Sequence, residues 1–319
     1  MSMFHVAISQ LTVSRWELTE EVARLTAHGF DSLSLWRPKL SDIGRHAAAA
    51  LLAESGVRAS SLQWAGGFTG GDGRTFAESI EDAREAIADA GAVGARVLVV
   101  HSGCRGGHTR AHARRLLIQA LDTLAPLAAR TGVTLAVKPM HQAAAAGCSF
   151  LTQVEDALEL VEGFADPAIR MALDLWQFGD DPELVRLLPR LAAATAVVQV
   201  ADRMGAPTAE LERLPAGHGS LPLESLVTAV AEHGYEGHFE FDPVGETVAS
   251  LGYERVLIEA RRLADLWAER LVPRLARQTM TAGWRHPDAA GPAALTTAPQ
   301  FRSAGSRRSH ASSQTASRG

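Results

Sequence analysis

Eight short β-type runs, each followed by a stretch of helical periodicity, occupy the chain up to about residue 270 of its 319. They are HVAIS (5–9), DSLSLW (31–36), ASSLQW (59–64), ARVLVVHS (95–102), TLAVKP (134–139), IRMALD (169–174), AVVQVAD (196–202) and GHFEFD (237–242). Several are almost wholly apolar, the pattern of parallel strands buried on both faces. Between them, segments such as 18–29, 75–92, 109–131 and 181–193 place apolar residues at i, i+3, i+4 and i+7, the spacing of a helix with one buried face. Gly29, Gly56, Gly132 and Gly234 stand at the expected helix ends.

Eight strand–helix units fit a closed α/β barrel better than a doubly wound sheet, which usually has fewer strands. The expected fold is therefore a single (βα)8 TIM barrel over residues 1–275. Residues 276–319, rich in Ser, Ala and Arg without a sustained period, are expected to be a disordered tail. That tail region is basic, with seven Arg against one Asp over 271–319, so the net charge of −5 conceals a more acidic body. An acidic body argues against nucleic-acid binding through a basic groove. Cys104 and Cys148 are too few for a disulfide framework and lack metal spacing. The N-terminus does not read as a signal sequence and no apolar run is long enough to span a membrane, which leads to the expectation of a cytoplasmic protein.

In such a barrel the reacting groups stand at the C-terminal ends of the strands. These ends are markedly polar: Trp36, Arg37 and Lys39 on the second; Gln63 and Trp64 on the third; His101 and Ser102 on the fourth; Lys138 and His141 on the fifth. The sixth supplies Asp174 and Gln177, the seventh Gln199 and Asp202, and the eighth Glu240 and Asp242. So many polar groups over one mouth are costly to bury unless they pair, hold an ion or bind a ligand. Lys138 is notable because the chain has only one other lysine, Lys39.

The segments LSLWRPKLSD (33–42), LQWAGGFTGGDGR (62–74), VVHSGCRGGHTRAHARRL (99–116), KPMH (138–141), LDLWQ (173–177), VVQVAD (197–202), AGHGSLPL (216–223) and GYEGHFEFD (234–242), in this order, resemble the sugar phosphate isomerase/epimerase family. That family has a xylose-isomerase-like TIM barrel and is related in fold to the metal-dependent endonuclease IV proteins. The resemblance covers about residues 4–265 and implies proton transfer next to a carbonyl through an enediolate, on a sugar or polyol. It also implies a divalent metal, Mn²⁺ or Mg²⁺, held by a Glu, an Asp, a His and a Glu ending strands five to eight. Carried over by position, these fall on Lys138, Asp174, Gln199 and Asp242. A protonated lysine has no lone pair and repels a dication, so the implied metal site, Asp174, Gln199 and Asp242, is incomplete.

By the resemblance Lys138 and Asp242 stand where the family has its two proton-shuttling glutamates; Glu240, on the strand face of Asp242, and His141 are further catalytic candidates. Substrate contacts are expected from Trp64, His101, Gln177, Asp202 and His218 at the rim; by the resemblance, Gln177 and His218 stand where the family commonly has a His and an acidic residue. Trp36, Trp64 and Trp176 are all expected near the rim, and the glycine-rich stretch 66–73 before Arg74 reads as a mobile lid. Three readings of Lys138 stay open: an ammonium replacing the metal as electrophile, a Schiff-base lysine of a lyase or aldolase, and a salt-bridge partner in an inactive barrel that binds a sugar-like ligand or a protein. Related barrels often pair, so a homodimer is among the expected assemblies.

Overall fold

A computed structural model describes residues 4–145, 147–210 and 212–282, with side chains to residue 275. Its eight strands are β1 (His5–Ser9), β2 (Ser32–Trp36), β3 (Arg58–Gly66), β4 (Val97–His101), β5 (Thr134–Lys138), β6 (Ile169–Asp174), β7 (Thr195–Val200) and β8 (His238–Phe241). All neighbours pair in parallel, and β8 returns to β1 through partners such as Val6 and Phe239, closing the (βα)8 barrel.

The helices form where the periodicity predicts them. Phe76–Ala92 begins with a reciprocal cap, in which the Glu78 backbone N–H donates to the Thr75 hydroxyl at 3.2 Å and the Thr75 N–H donates to the Glu78 carboxylate at 2.7 Å. Arg110–Thr131 buries Ala113, Leu117, Ala120, Leu121, Leu124 and Ala128, one stripe against the sheet, and stops at Gly132 in the left-handed conformation. The last helix, Tyr253–Ala282, runs past residue 275, where the barrel was expected to give way to the tail. The remainder of the expected tail, 283–319, lies outside the described residues. None of the helices among the described residues is long and apolar enough to cross a membrane.

The strands divide their residues by the two-residue alternation of the pleat. Leu98, Val100, Leu135, Val137, Met171 and Leu173 join the large core shared with the helices. Val97, Val99, Ala136, Ala172 and Val197 form a separate small cluster. Moving two residues further along that second face reaches His101, Lys138, Asp174 and Gln199, which are thus carried to the mouth of the barrel. Register then sets them side by side, His101 against Lys138, Asp174 against Gln199, and Gln199 against Glu240.

Lys39 does not join them. It is held beneath the loop after β1, donating to the carbonyls of Val13 (3.2 Å) and Trp16 (2.7 Å) and pairing with the buried Glu21.

Candidate functional site

The barrel mouth holds two buried cations and two buried carboxylates locked together. The Lys138 ammonium lies 2.8 Å from Asp174 Oδ2 and donates to Gln199 Oε1 at 2.5 Å. Opposite it, the Arg213 guanidinium donates to both oxygens of Asp174 at 3.0 and 2.9 Å, to Asp242 Oδ1 at 2.7 Å and to the Asp242 carbonyl at 3.1 Å. Arg213 lies over the ring of Trp176, 5.1 Å from its centre. Its backbone is fixed as firmly: Arg213 and Val244 exchange hydrogen bonds of 2.8 Å, and Leu214 and Asp202 do the same next to them.

This geometry divides the two carboxyls. Burial alone would raise Asp174, but the charges of Arg213 and Lys138 outweigh it and hold that carboxyl below the usual range. Asp242 touches one cation rather than two, so burial prevails and pushes it up to about 6. The first proton taken up by the pair therefore goes to Asp242.

Glu240 belongs to a different set. It accepts from the Ser60 hydroxyl at 2.6 Å and from Gln63 Nε2 at 3.3 Å, and Gln63 also donates to Ser34 at 3.0 Å. Wholly buried, its carboxyl is raised to about 7, since burial exceeds what the hydrogen bonds from Ser60 and Ser61 recover. Two residues before Asp242, it points into this serine layer instead of towards Lys138.

Beside the ionic centre, on the β2–β4 side, opens a cavity of about 520 Å³ lined by Trp36, Arg37, Gln63, Trp64, Arg74 and His101 among others. Trp64 and His101 stack with ring centres 5.2 Å apart and planes 7° apart. Burial, helped by the neighbouring Lys138 charge, lowers the His101 imidazole to about 3, so it is neutral at physiological pH. Trp36 reaches this cavity, whereas Trp176 is buried beneath Arg213 and serves as its support.

The glycine-rich stretch after β3 is a laced wall and not a free lid. Gly67 N–H donates to the His101 carbonyl at 3.1 Å, Ser79 and Arg74 donate to carbonyls of Gly67 and Gly66 at 3.3 and 2.8 Å, and Thr69 donates to the Cys104 carbonyl. At Gly66 a Cβ would stand 1.9 Å from the His101 carbonyl oxygen, which is why a glycine is needed there.

The remaining expected residues are spread around the rim. Gln177 accepts from the His141 backbone N–H at 2.9 Å, tying the loops after β5 and β6 together. The His141 ring, partly exposed, makes no described contact with Lys138; its Nδ1 accepts from the Ala143 N–H at 3.3 Å. Asp202 accepts from the backbone N–H groups of Arg203, Gly217 and Leu221 at 2.9 to 3.0 Å and so organises the loop that carries Arg213. His218 pairs with Glu259 at 2.8 Å on the outer side.

Arg213 escaped sequence reasoning because it lies in a loop without periodicity. The signal was one of charge: Lys138 alone cannot offset both Asp174 and Asp242 in a buried site, so a second cation was required.

The donor set does not suit a divalent ion. Asp174 and Asp242 already accept from cations, Lys138 and Arg213 are donors only, and the described residues contain no group of three or more His, Cys, Asp or Glu disposed to hold a metal.

The sequence profile of the xylose isomerase-like TIM barrel matches residues 22–267. Protein SMc04130 from Sinorhizobium meliloti 1021 superposes with a TM-score of 0.75 at 23% identity, covering 81% of this chain and 96% of that one. The IOLI protein, solved with a bound zinc atom, gives 0.72 at 15% identity over 84% of this chain and 99% of that one. The apo form of the 3-keto-D-glucoside 4-epimerase YcjR from E. coli gives 0.68 at 15% identity over 81% and 99%. These likenesses are of fold. No curated protein matches the sequence.

Proposed function

Because the chain belongs to the xylose isomerase-like TIM barrel family, we propose that it acts on a sugar as an isomerase or epimerase, moving a proton next to a carbonyl with Lys138 and Arg213 standing where the family places a metal. The observation that carries this reading is the unfinished bonding of Lys138. Two of its three N–H groups are used, by Asp174 and Gln199, which leaves one for a ligand oxygen at the mouth. An ammonium donating to a carbonyl oxygen stabilises the negative charge that develops there as the adjacent C–H proton leaves.

Asp242 is the base in this scheme. Arg213 occupies Oδ1 and leaves Oδ2 without a described hydrogen bond, and a carboxyl titrating at about 6 is poised both to accept and to return a proton near neutrality. Asp242 takes the proton from the carbon next to the carbonyl; return of a proton to the other face of that carbon gives the epimer, and its delivery to the former carbonyl carbon, with the hydroxyl proton passing from one oxygen to the other, gives the isomer. His141 at the rim is the candidate second proton carrier, while Glu240 acts from beneath through Gln63. Gln177, Asp202 and His218 contribute by shaping the surrounding loops. A Schiff-base route fits less well, since the Lys138 nitrogen would have to give up its ion pair with Asp174 to attack a carbonyl.

The pairing of Asp174 and Asp242 with Arg213 favours one other reading, a barrel that binds its ligand without turnover. Deuterium exchange separates the two. Wild type incubated with ketoses in D2O is expected to incorporate solvent deuterium beside the carbonyl, and Asp242→Asn to slow this by on the order of 10²-fold. Saturable ketose binding without any exchange would establish the binding barrel instead.

A further inference from the structure

The cavity on the β2–β4 side has a chemistry more specific than its place in the fold. It contains two guanidiniums, each already paired with a carboxylate. Arg37 donates to both oxygens of Asp82 at 3.0 and 3.1 Å. Arg74 lies 3.0 Å from Asp82 and 2.6 Å from Asp72, and gives a further hydrogen bond of 2.8 Å to the Gly66 carbonyl. Two arginines thus face two aspartates, and the only other ionisable ring on the wall, His101, is buried and neutral.

A phosphate entering here would lie against Asp72 and Asp82, which already sit on the two guanidiniums it would seek. The cost of such like-charge contact is of the kind that excludes a ligand. Hydroxyl groups meet the opposite situation. The outer lone pairs of Asp72 and Asp82 accept from them, and so does Gln63 Oε1, because the amide nitrogen of Gln63 is already spent on Ser34, Ser61 and Glu240. Trp64 adds an aromatic surface that stays 40% exposed although it lines the cavity. A volume of about 520 Å³ lies within the range of small-molecule sites.

We propose that this cavity binds an uncharged polyhydroxylated ring, stacked on Trp64 and hydrogen-bonded by Gln63, Asp72 and Asp82, and that it rejects phosphorylated sugars. This rests on the reading of the protein as a sugar isomerase or epimerase and narrows it to unphosphorylated substrates.

Titration of the full chain, followed by calorimetry, with D-fructose, D-fructose 6-phosphate and inorganic phosphate tests it. Fructose is expected to bind at least about tenfold more tightly than its 6-phosphate. Trp64→Ala should weaken fructose about tenfold, the scale of one lost aromatic contact, and Trp64→Phe should recover most of it. Asp82→Asn, which releases Arg37 and Arg74, should raise affinity for inorganic phosphate several-fold. Tighter binding of the 6-phosphate or of phosphate to wild type overturns the proposal, as does fructose binding that is absent or indifferent to Trp64→Ala. The two readings fail separately: deuterium exchange on fructose 6-phosphate but not fructose keeps the isomerase and removes this inference, whereas Trp64-dependent fructose binding without exchange does the reverse.

Discussion

Arg213→Ala is expected to destabilise the barrel by about 3–5 kcal/mol, the usual consequence of removing one partner from a buried ionic group. In a domain of this size that corresponds to a fall in melting temperature on the order of 10 °C. Asp174 keeps Lys138 at 2.8 Å, but Asp242 loses its only described side-chain partner while remaining 4% exposed. The burden therefore falls on Asp242, which can avoid it by taking a proton. The loss should be larger at pH 8 than at pH 5, and adding Asp242→Asn to Arg213→Ala should restore a good part of it. Arg213→Lys keeps one charge but cannot span both carboxylates, so its melting temperature should lie between those of wild type and Arg213→Ala. Melting curves of the four proteins decide the matter. An Arg213→Ala protein that melts with wild type at pH 8 would mean that the guanidinium does not hold the centre together.

The parts of this site that were legible in the sequence are those fixed by alternation along a strand. Once Val99, Ala136, Ala172 and Val197 are recognised as one face, His101, Lys138, Asp174 and Gln199 follow two residues later, and parallel register makes them neighbours. The same rule misleads where a strand ends. Glu240 and Asp242 share a face, yet they serve different partners, because each two-residue step moves the side chain about 7 Å along the strand. Glu240 thus meets Ser60 and Gln63 deep inside, while Asp242 meets Arg213 at the rim.

Loop residues carry no period, and their roles depend on which backbone segments happen to pair. Arg213 is aimed by its exchange of hydrogen bonds with Val244, a contact between residues far apart in the chain. Trp176, expected at the rim, is covered by that same arginine. The glycines of 66–73 suggested freedom of movement, but Gly66, with Gly103 and Gly106 opposite, serves close approach of backbone to backbone, which produces a tied wall. Glycine permits both outcomes, and only the partner segment 101–107 decides between them.

Glu240→Gln is expected to stabilise the protein above neutral pH by about 3 kcal/mol, with no gain at pH 4.5. The carboxyl titrates near its ordinary 4.5 in the unfolded chain and at about 7 in the barrel, so between these values the folded state binds the extra proton. The stability Glu240 contributes is therefore fully present below pH 4.5 and is lost as pH rises through about 7. Glutamine keeps an oxygen to accept from Ser60 and never ionises, so it behaves as the protonated acid does at every pH. Other groups complicate the wild-type curve: His101 and His238 are lowered by burial to about 3 and about 4, which makes stability fall as pH drops below the ordinary histidine range. Both variants share those histidines, along with Asp242, and their contributions largely cancel in the difference between the two unfolding free energies. That difference, measured by denaturant unfolding from pH 4.5 to 8.5, should begin near zero, rise between about 5 and 7, and level off. A flat difference would mean that Glu240 is ionised in the folded barrel across the whole range, and that its serine layer solvates a carboxylate far better than burial at 0% exposure suggests.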